Sequence, residues 1–518
     1  MRPWRDWESY ALVFGASVCT LVLEIVAGRV LAPAIGVSLY TWTTVIGVVL
    51  AGVAVGNYAG GRIARTAGVR ALAGLFLTTA IAVWLAAAHL RMVDLPSALS
   101  GVQPLARLVL LVGGYFFTPS FLLGMVTPLV AQLMLRERAE AGAVVGRLGA
   151  VSAAGSIVGT FAAGFLLIPA FGSRSILMGV AVALALLALL TAWGRVRFGG
   201  REVGRALPLA ALVAAVTGCS TALGSDLCLR ETAYYCIRLE EGRERDARYL
   251  TLIHDRTIQG FTAPEAPLLL VADYVQVFAD AAAYRAARLP SSGAALQTLF
   301  IGGGSFTMPR YLEAAYPQSL SEVLEVDVGV TRTAGEHLGL RQAGSPAGPP
   351  SRGIHVRHVD ARLGIRDLAG ATYDLVYGDA FSDISVPWHL TTLEFDREVR
   401  RVLKPDGLYV INAIDAWETG RFLPAFVRTL REAFPHVTVM RVRDFEPRAL
   451  SNWVLIASGA PIDTAALERV TRPGLTGAQA ARGRAMPADE VARWAGGALV
   501  LTDDYAPVDW LLSGRYLD

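Results

Sequence analysis

The stretch LQTLFIGGGSFTMPRYL, residues 296–312, followed by SEVLEVD at 321–327, determines the fold of the C-terminal half. An apolar run that ends in Gly302, Gly303 and Gly304 is typical of a buried parallel strand leading into a helix, because glycine lets the backbone approach a ligand closely. About 20 residues further on, Glu325 ends the next apolar run, where an acid usually holds ribose hydroxyls. A triple glycine alone also fits a flexible turn. Together, the two features predict a nucleoside site on a parallel sheet.

Strands and helices alternate around this stretch. The predicted strands are TLFIG, SEVLEVD, HVRHVDA, YDLVYGDA and LYVINAI, and the predicted helices lie near residues 266–288, 309–316, 330–338 and 391–403. Such alternation predicts a doubly wound α/β sheet, in which ligands bind at the carboxyl ends of the strands. The residues expected at such ends are Gly302–Gly304, Glu325, Asp360 and Asp379. We therefore expect these residues to converge on one Rossmann-like site.

The N-terminal part differs sharply in composition. The 518-residue chain is 53% hydrophobic and 18% charged, and its mean hydropathy is +0.45. A membrane span needs roughly 20 apolar residues, and about seven segments qualify. They lie near residues 9–27, 38–60, 69–90, 105–135, 148–171, 174–194 and 206–223. Pro119 and Pro128 in the fourth segment indicate a kinked helix or two short ones. Gly52, Gly56 and Gly60 have the small-xxx-small spacing of closely packed helices.

Arginine content differs between alternate connections of these spans, and this bias predicts orientation because basic loops stay in the cytoplasm. The basic connections contain Arg62, Arg65 and Arg70; Arg136, Arg138 and Arg147; and Arg195, Arg197, Arg201 and Arg205. Seven spans would place the C-terminal half of this multi-pass protein of the cell (inner) membrane on the extracytoplasmic side, whereas eight spans would place it in the cytoplasm. We favour seven. Glu24 lies inside the first span, where an ionisable residue is either a functional group or part of an ion pair. We favour the second alternative, a pairing with Arg29.

Three further features limit the function classes. A net charge of +3 without a Lys/Arg cluster argues against nucleic acid. The sequence contains no C-x-x-C motif and no His/Cys cluster, and so it gives no indication of a metal site. Cys228 and Cys236 have a spacing that fits either a disulfide in an oxidising compartment or two free thiols. The predicted organisation is a transmembrane helical domain at 1–225, a small β-strand subdomain at 226–265 and an α/β domain at 266–518.

Several motifs in residues 228–512 resemble the spermidine synthase (polyamine aminopropyltransferase) superfamily in its membrane-fused form. They are IGGGSFTMPRYL, EVLEVDVGV, HVDAR, YDLVYGDAFSDISVPWHLTTLEF, LKPDGLYVINAI and LTDDYAPVDWLL. The resemblance implies a sulfonium nucleoside as substrate, either S-adenosylmethionine or its decarboxylated form, with no true cofactor. It also implies a small-molecule amine or polyamine as acceptor, the lipid bilayer as a partner, and methylthioadenosine as a product. A homodimer is left open.

The resemblance also implies roles for individual residues. The glycines Gly302, Gly303 and Gly304 would line the thioadenosine, Glu325 would hold the ribose and Asp360 would meet the adenine amino group. The residues expected around the reacting arm and the amine are Gln259, Tyr274, Asp379 and Asp383. Asp379 is the candidate catalytic acid. Its carboxylate can accept a proton from an ammonium nucleophile, while the sulfonium activates the carbon that is attacked.

Two departures from the family pattern affect the acceptor more than the nucleoside. Ser305 follows the glycines where soluble members have an acid, and Asp379 and Asp383 are separated by one extra residue. A serine at this position tolerates a substrate carboxylate better than an acid does. Two alternatives therefore stay open. One is cleavage or intramolecular cyclisation of S-adenosylmethionine without a polyamine, and the other is a transporter or sensor that only binds the nucleoside or a polyamine. The long motif that begins at Tyr377 argues against a methyltransferase.

Overall fold

The computed structural model describes most of the chain. The described residues are 6–35, 39–65, 69–92, 102–135, 141–196, 228–244, 247–289, 295–343, 352–380, 386–442, 446–474 and 483–512. The chain forms two compact units, Met1–Cys236 and Ile237–Asp518. The domain boundaries at 225/226 and 265/266 stay predictions.

The first unit is helical. Its helices are α1 (Asp6–Ile35), α2 (Leu39–Ile63), α3 (Val69–Met92), α4 (Pro104–Val112), α5 (Thr118–Gly124), α6 (Val126–Leu135), α7 (Ala141–Phe161), α8 (Ile168–Ala170) and α9 (Ser173–Val196). Among the described residues, six helical segments are long and apolar enough to span a membrane. They confirm an N-terminal bundle of membrane-length helices. The seventh predicted span, near 206–223, lies outside the described residues.

The fourth apolar segment forms one interrupted helix. Leu105–Leu135 counts as a single membrane-length segment. A π-helical turn at Gly113–Phe117 precedes Pro119, and Met125 separates α5 from α6 ahead of Pro128. Proline removes a backbone donor and clashes with the preceding turn, so both interruptions occur where the sequence predicts a kink.

Helix α2 packs closely against the fourth span through its glycines. A Cβ atom added at Gly56 would lie 2.1 Å from the carbonyl oxygen of Phe121, and one added at Gly60 would lie 2.8 Å from the Cα of Met125. Gly52, Gly56 and Gly60 are all buried. The small-xxx-small spacing therefore marks a helix contact in which any larger residue would collide with backbone.

The segment that follows the membrane spans contacts the bundle. The Arg29 guanidinium of α1 donates to the carbonyl of Thr232 over 2.7 Å and also to the carbonyl of Tyr234. The Glu231 carboxylate accepts from the Ser173 amide at the start of α9 over 2.9 Å. The expected pairing of Arg29 with Glu24 is thus replaced by bonds to this segment. Cys228 and Cys236 form a disulfide around it, which decides between the two alternatives for these cysteines.

The second unit is α/β. Its strands are β2 (Cys236–Glu244), β3 (Ala247–His254), β4 (Thr257–Thr262), β5 (Gln297–Ile301), β6 (Leu320–Leu324), β7 (Gly353–Arg357), β8 (Tyr373–Gly378), β9 (Leu403–Asp415), β10 (His436–Arg441), β11 (Ser451–Ser458) and β12 (Arg484–Ala485), and the two-residue strand β1 (Arg230–Glu231) precedes them. Its helices are α10 (Asp273–Ala286), α11 (Thr307–Ala315), α12 (Val328–His337), α13 (Ala361–Gly364), α14 (Leu393–Val402), α15 (Phe422–Ala433), α16 (Thr464–Arg469), α17 (Ala488–Ala495) and α18 (Val508–Leu511).

Two sheets organise this unit. Strands β2, β3 and β4 pair antiparallel in sequence order. The second sheet has eight strands in the order β12-β10-β11-β9-β8-β5-β6-β7. Strands β9, β8, β5, β6 and β7 are parallel, whereas β9–β11 and β10–β11 are antiparallel. The predicted Rossmann-like α/β fold is confirmed. Residues 404–407, Lys-Pro-Asp-Gly, lie within β9, where the register with β8 shifts.

Local sequence explains where the helices of the parallel layer begin. The Asp327 carboxylate accepts from the Gly329 amide over 2.7 Å at the start of α12. The Thr392 hydroxyl accepts from the Phe395 amide at the start of α14. Both residue types are preferred N-caps because their side chains satisfy an amide with no partner inside the helix. Behind them, buried side chains that include Phe395 and Trp453 form the core against which the sheet packs.

Candidate active site

The residues predicted at strand ends lie side by side at one edge of the sheet. Strands β8, β5, β6 and β7 are consecutive neighbours. Asp379 follows β8, the glycines follow β5, Glu325 follows β6, and Asp360 comes three residues after β7. Backbone bonds connect these ends, since the Asp379 amide donates to Ile301 over 3.2 Å and the Gly302 amide donates to Leu324 over 3.0 Å. The structure thus brings together four features that the sequence spreads over about 80 residues.

The glycine turn needs glycine at two of its three positions. Gly302 has φ +91° and Gly304 has φ +48°, in the left-handed region that other residues rarely adopt. Phe306 follows with φ 53° and caps α11. A Cβ at Gly302 would also lie 3.2 Å from the carbonyl oxygen of Asp379. The turn therefore keeps the backbone next to Asp379 free of side chains.

Glu325 holds this turn in place. Its Oε2 accepts from the Gly303 amide and its Oε1 from the Asp327 amide, both over 2.8 Å. The side chain is buried, and burial raises the pKa of Glu325 to about 7, although the two amides act in the opposite direction. Each carboxylate oxygen retains a further acceptor site. The residue thus has capacity left for hydroxyl groups while it stabilises the backbone around them.

The Ser305 side chain packs inside the protein, away from the cavity. Its side chain is buried, and its hydroxyl lies 2.8 Å from that of Thr307. A Cβ at Gly260 of β4 would lie 2.2 Å from the Ser305 Oγ, so the serine fills space directly against that strand. The residue does not line the cavity described below.

Asp360 is engaged by its own helix. Its Oδ1 accepts from the Arg362 amide over 2.8 Å and from the Leu363 amide over 3.3 Å, which caps α13. Its Oδ2 lies 3.2 Å from the Nε2 of His389. The side chain is 37% exposed. An adenine contact for Asp360 stays a prediction, and any ligand there would compete with His389 for the second oxygen.

A cavity of about 660 Å³ opens beside Asp379. Its lining includes three of the predicted residues, Gln259 from β4, Tyr274 from α10 and Asp379. Asp273 is a second carboxylate in the lining, and among the described residues no Lys or Arg borders the cavity. This distribution of charge suits a cationic ligand. Asp383, expected nearby, lies outside the described residues.

Both oxygens of Asp379 accept hydrogen bonds. Tyr274 donates to Oδ2 over 3.1 Å, and the Asn412 Nδ2 donates to Oδ1 over 3.0 Å. Burial raises the pKa of Asp379 to about 6, while the bonds from Asn412 and Tyr274 lower it. The pKa of Tyr274 is also raised well above its usual range, first by burial and then by the charge of Asp379. At neutral pH this arrangement provides a carboxylate that can accept a proton, beside a tyrosine that keeps its own.

Two asparagines at the site were missed from the sequence. Asn412 lies within the apolar part of β9, and Asn452 lies near the start of β11. Both line the cavity, and the Asn452 Nδ2 donates to the Asn412 Oδ1 over 2.9 Å. A polar residue inside the buried run LYVINAI was the available signal for Asn412. No comparable signal marks Asn452, because its position depends on the pairing of β9 with β11.

Comparisons with known proteins relate the chain to one family. No family model matches it. A polyamine aminopropyltransferase from Vibrio vulnificus is 33% identical over 116 residues, which are 22% of this chain and 36% of the relative. Polyamine aminopropyltransferase 2 from Streptomyces coelicolor is 28% identical over 302 residues, 56% of this chain and 53% of the relative. The chain is homologous to the polyamine aminopropyltransferases, the spermidine synthase family.

The matched part is limited in extent. The chain spans between 23% and 53% of the length of the curated aminopropyltransferases that it matches. Among solved structures, a probable spermidine synthase from Corynebacterium glutamicum aligns with a TM-score of 0.45 at 26% identity, covering 53% of this chain and 95% of its own. Spermidine synthase from Thermotoga maritima aligns with a TM-score of 0.36 at 16% identity, covering 53% and 98%.

Proposed function

We propose that the protein is an integral membrane aminopropyltransferase-like enzyme. It would transfer the alkyl arm of decarboxylated S-adenosylmethionine, or of S-adenosylmethionine itself, to an amine and release methylthioadenosine. The observation that carries this proposal is Asp379, a carboxylate that lines an acidic cavity and lies beside the glycine turn. Homology to aminopropyltransferases supports the reaction class.

The chemistry needs few protein groups. The amine nitrogen forms a bond to the carbon next to the sulfonium, the carbon–sulfur bond breaks, and its electron pair stays on sulfur as a neutral thioether. An ammonium must first lose a proton, and Asp379 is the group that would accept it. Glu325 and the glycines would orient the nucleoside, so that catalysis depends mainly on in-line positioning of the two substrates.

The amine is proposed as acceptor because the cavity combines Asp379 and Asp273 with polar neutral groups. Ser305 gives no support to a substrate carboxylate here, because its hydroxyl faces Thr307 and not the cavity. Cyclisation of S-adenosylmethionine and binding without turnover are therefore kept as outcomes of the test.

Product analysis tests the proposal. The full-length protein in detergent is incubated with each sulfonium donor, with and without putrescine or spermidine, and methylthioadenosine is quantified. We expect release that depends on the amine and is abolished in Asp379→Asn. Amine-independent release would support cleavage of the donor alone, and binding of methylthioadenosine without any release would support a sensor or transporter.

We also propose that the C-terminal unit lies outside the cytoplasm. Helix α9 runs from Ser173 to Val196, and Glu231 then contacts Ser173 at the starting end of that helix. Glu231 therefore lies at the end of the bundle at which α9 begins. That end is opposite the arginine-rich connections, which the charge bias assigns to the cytoplasm. A Cys228–Cys236 disulfide also fits an oxidising compartment.

A further inference from the structure

Three adjacent strands carry a row of polar side chains that ends at Asp379. Strands β11, β9 and β8 are neighbours in the sheet. Because β11 is antiparallel to β9, its first residues lie at the same edge as the carboxyl ends of β9 and β8. Asn452, Asn412 and Asp379 therefore lie in one line across this edge. Asn452 donates to Asn412 over 2.9 Å, and Asn412 donates to Asp379 over 3.0 Å.

The direction of these bonds has a chemical consequence. A side-chain amide has an N–H₂ group and a carbonyl oxygen of similar size, and rotation by half a turn exchanges them. With the Asn412 Nδ2 towards Asp379, the amide stabilises the carboxylate. With its oxygen in that place, the amide would repel the carboxylate and stabilise the protonated acid. The direction of Asn412 thus determines which form of Asp379 is favoured.

Asn452 is the group that determines this direction. Its Nδ2 donates to the Asn412 Oδ1. This bond holds the amide oxygen of Asn412 on the side away from Asp379. Asn412 is 3% exposed, so a reversed amide would lose both bonds with little access to water in compensation. The other titratable side chains that line the cavity around Asp379 are Tyr249, Asp273 and Tyr274.

We infer that Asn412 and Asn452 are positioning residues, and that Asn452 holds the Asn412 amide so that Asp379 stays a proton acceptor for the incoming amine. The inference rests on the proposed function for its kinetic consequence. Neither asparagine needs to touch a reacting atom, since both act through Asp379. Tyr274 donates to Oδ2 of Asp379. The hydrogen bond to Oδ1 therefore depends on Asn412 and, through it, on Asn452.

The decisive variant is Asn452→Asp in the full-length protein. It keeps the size of the side chain but replaces the donor by an acceptor. The Asn412 N–H₂ group would then bond to the new carboxylate oxygen and turn away from Asp379. Asn412→Ala removes the bond outright. Ser458→Ala is the matched control, because Ser458 lies at the other end of the same strand, outside the cavity lining, and its hydroxyl donates to the Gly407 carbonyl over 2.9 Å instead.

The first readout is the pH profile of kcat/KM for methylthioadenosine release. In the wild type we expect the acidic limb near pH 6, where Asp379 titrates. Asn452→Asp and Asn412→Ala should move that limb upward by about one pH unit, with activity within about threefold of wild type above pH 8.5. The control should leave the limb in place. An equal loss of kcat/KM at every pH would overturn the inference and indicate a packing role.

A second readout separates this inference from the proposed function. Infrared titration of the full-length protein follows the carboxyl band of Asp379, which is assigned by its disappearance in Asp379→Asn. If the pH at which half of this band has disappeared is higher in Asn452→Asp, the inference is supported even when no donor is turned over. An unchanged value of this pH overturns it even in an active enzyme. Absence of turnover in the wild type would refute the proposed function alone.

Discussion

Tyr274 donates a hydrogen bond to the Oδ2 of Asp379 over 3.1 Å, which connects the first turn of α10 to the end of β8. The ring of Tyr274 packs edge-on against Phe278, with centroids 5.6 Å apart. The hydroxyl is therefore aimed by a rigid helix and not by a mobile loop. Such support keeps a donor at fixed distance from a group whose charge changes during a reaction.

Replacing Tyr274 by Phe removes this donor and keeps the ring. The pKa of Asp379 should rise further, because the bond from Tyr274 lowers it. We expect kcat/KM at pH 7 to fall by about two- to threefold and to recover above pH 8, measured as methylthioadenosine release. Tyr377→Phe is the control, since it deletes a buried hydroxyl that donates to the Phe278 carbonyl instead. Equal effects of both changes would contradict a specific role for Tyr274.

The stability of the protein should reflect the raised pKa of Asp379, about 6 against an ordinary 3.8. The folded state holds a proton that the unfolded state releases between about pH 4 and pH 6, so stability falls as pH rises through this window. Asp379→Asn should therefore raise the free energy of unfolding at pH 7.5 by up to about 3 kcal/mol, and hardly at all near pH 4. Thermal unfolding at both pH values measures this.

The surface change Asp504→Asn serves as the control for that experiment, because Asp504 is exposed in the same unit. It should alter the unfolding temperature little at either pH. A Tm of Asp379→Asn that is lower than wild type at pH 7.5 would contradict the account, since it would mean that the charged carboxylate stabilises the fold.

Glu325→Gln should weaken binding of methylthioadenosine at least tenfold. The new amide presents N–H₂ where the turn requires an acceptor, either to the Gly303 amide or to the Asp327 amide. Isothermal titration calorimetry measures the loss. Glu322→Gln is the control on β6, because Glu322 binds the Tyr373 hydroxyl over 2.7 Å and Arg357 instead. Unchanged affinity in Glu325→Gln would remove Glu325 from the nucleoside site.

A reporter fused after Asp518 tests the sidedness. Alkaline phosphatase, active outside the cytoplasm, should be active in this fusion, and a fluorescent protein that matures only in the cytoplasm should stay dark. The reason is that Glu231 lies at the Ser173 end of the bundle, opposite the basic connections. The reverse pair of signals would contradict the extracytoplasmic assignment. Fusions at residue 66, in a basic connection, should give that reverse pair and serve as the control.

The strand ends of the site were predictable, because each follows an apolar run and parallel strands place their carboxyl ends together. Gly302 and Gly304 were predictable for the same reason, and the structure adds the positive φ values that require them. The environment of Ser305 was not predictable, since it depends on Gly260 in a different sheet. Asn452 could not be predicted either, because its role depends on the register between β9 and β11.

The most direct test of the central claim follows the transferred carbon. Decarboxylated S-adenosylmethionine with a ¹³C-labelled aminopropyl arm is incubated with the full-length protein and putrescine, and the products are identified by mass spectrometry. The account predicts label joined to the amine, one methylthioadenosine per labelled product, and no labelled product from Asp379→Asn. Label found only in a cyclised or hydrolysed fragment, or the same labelled product from Asp379→Asn, would contradict it.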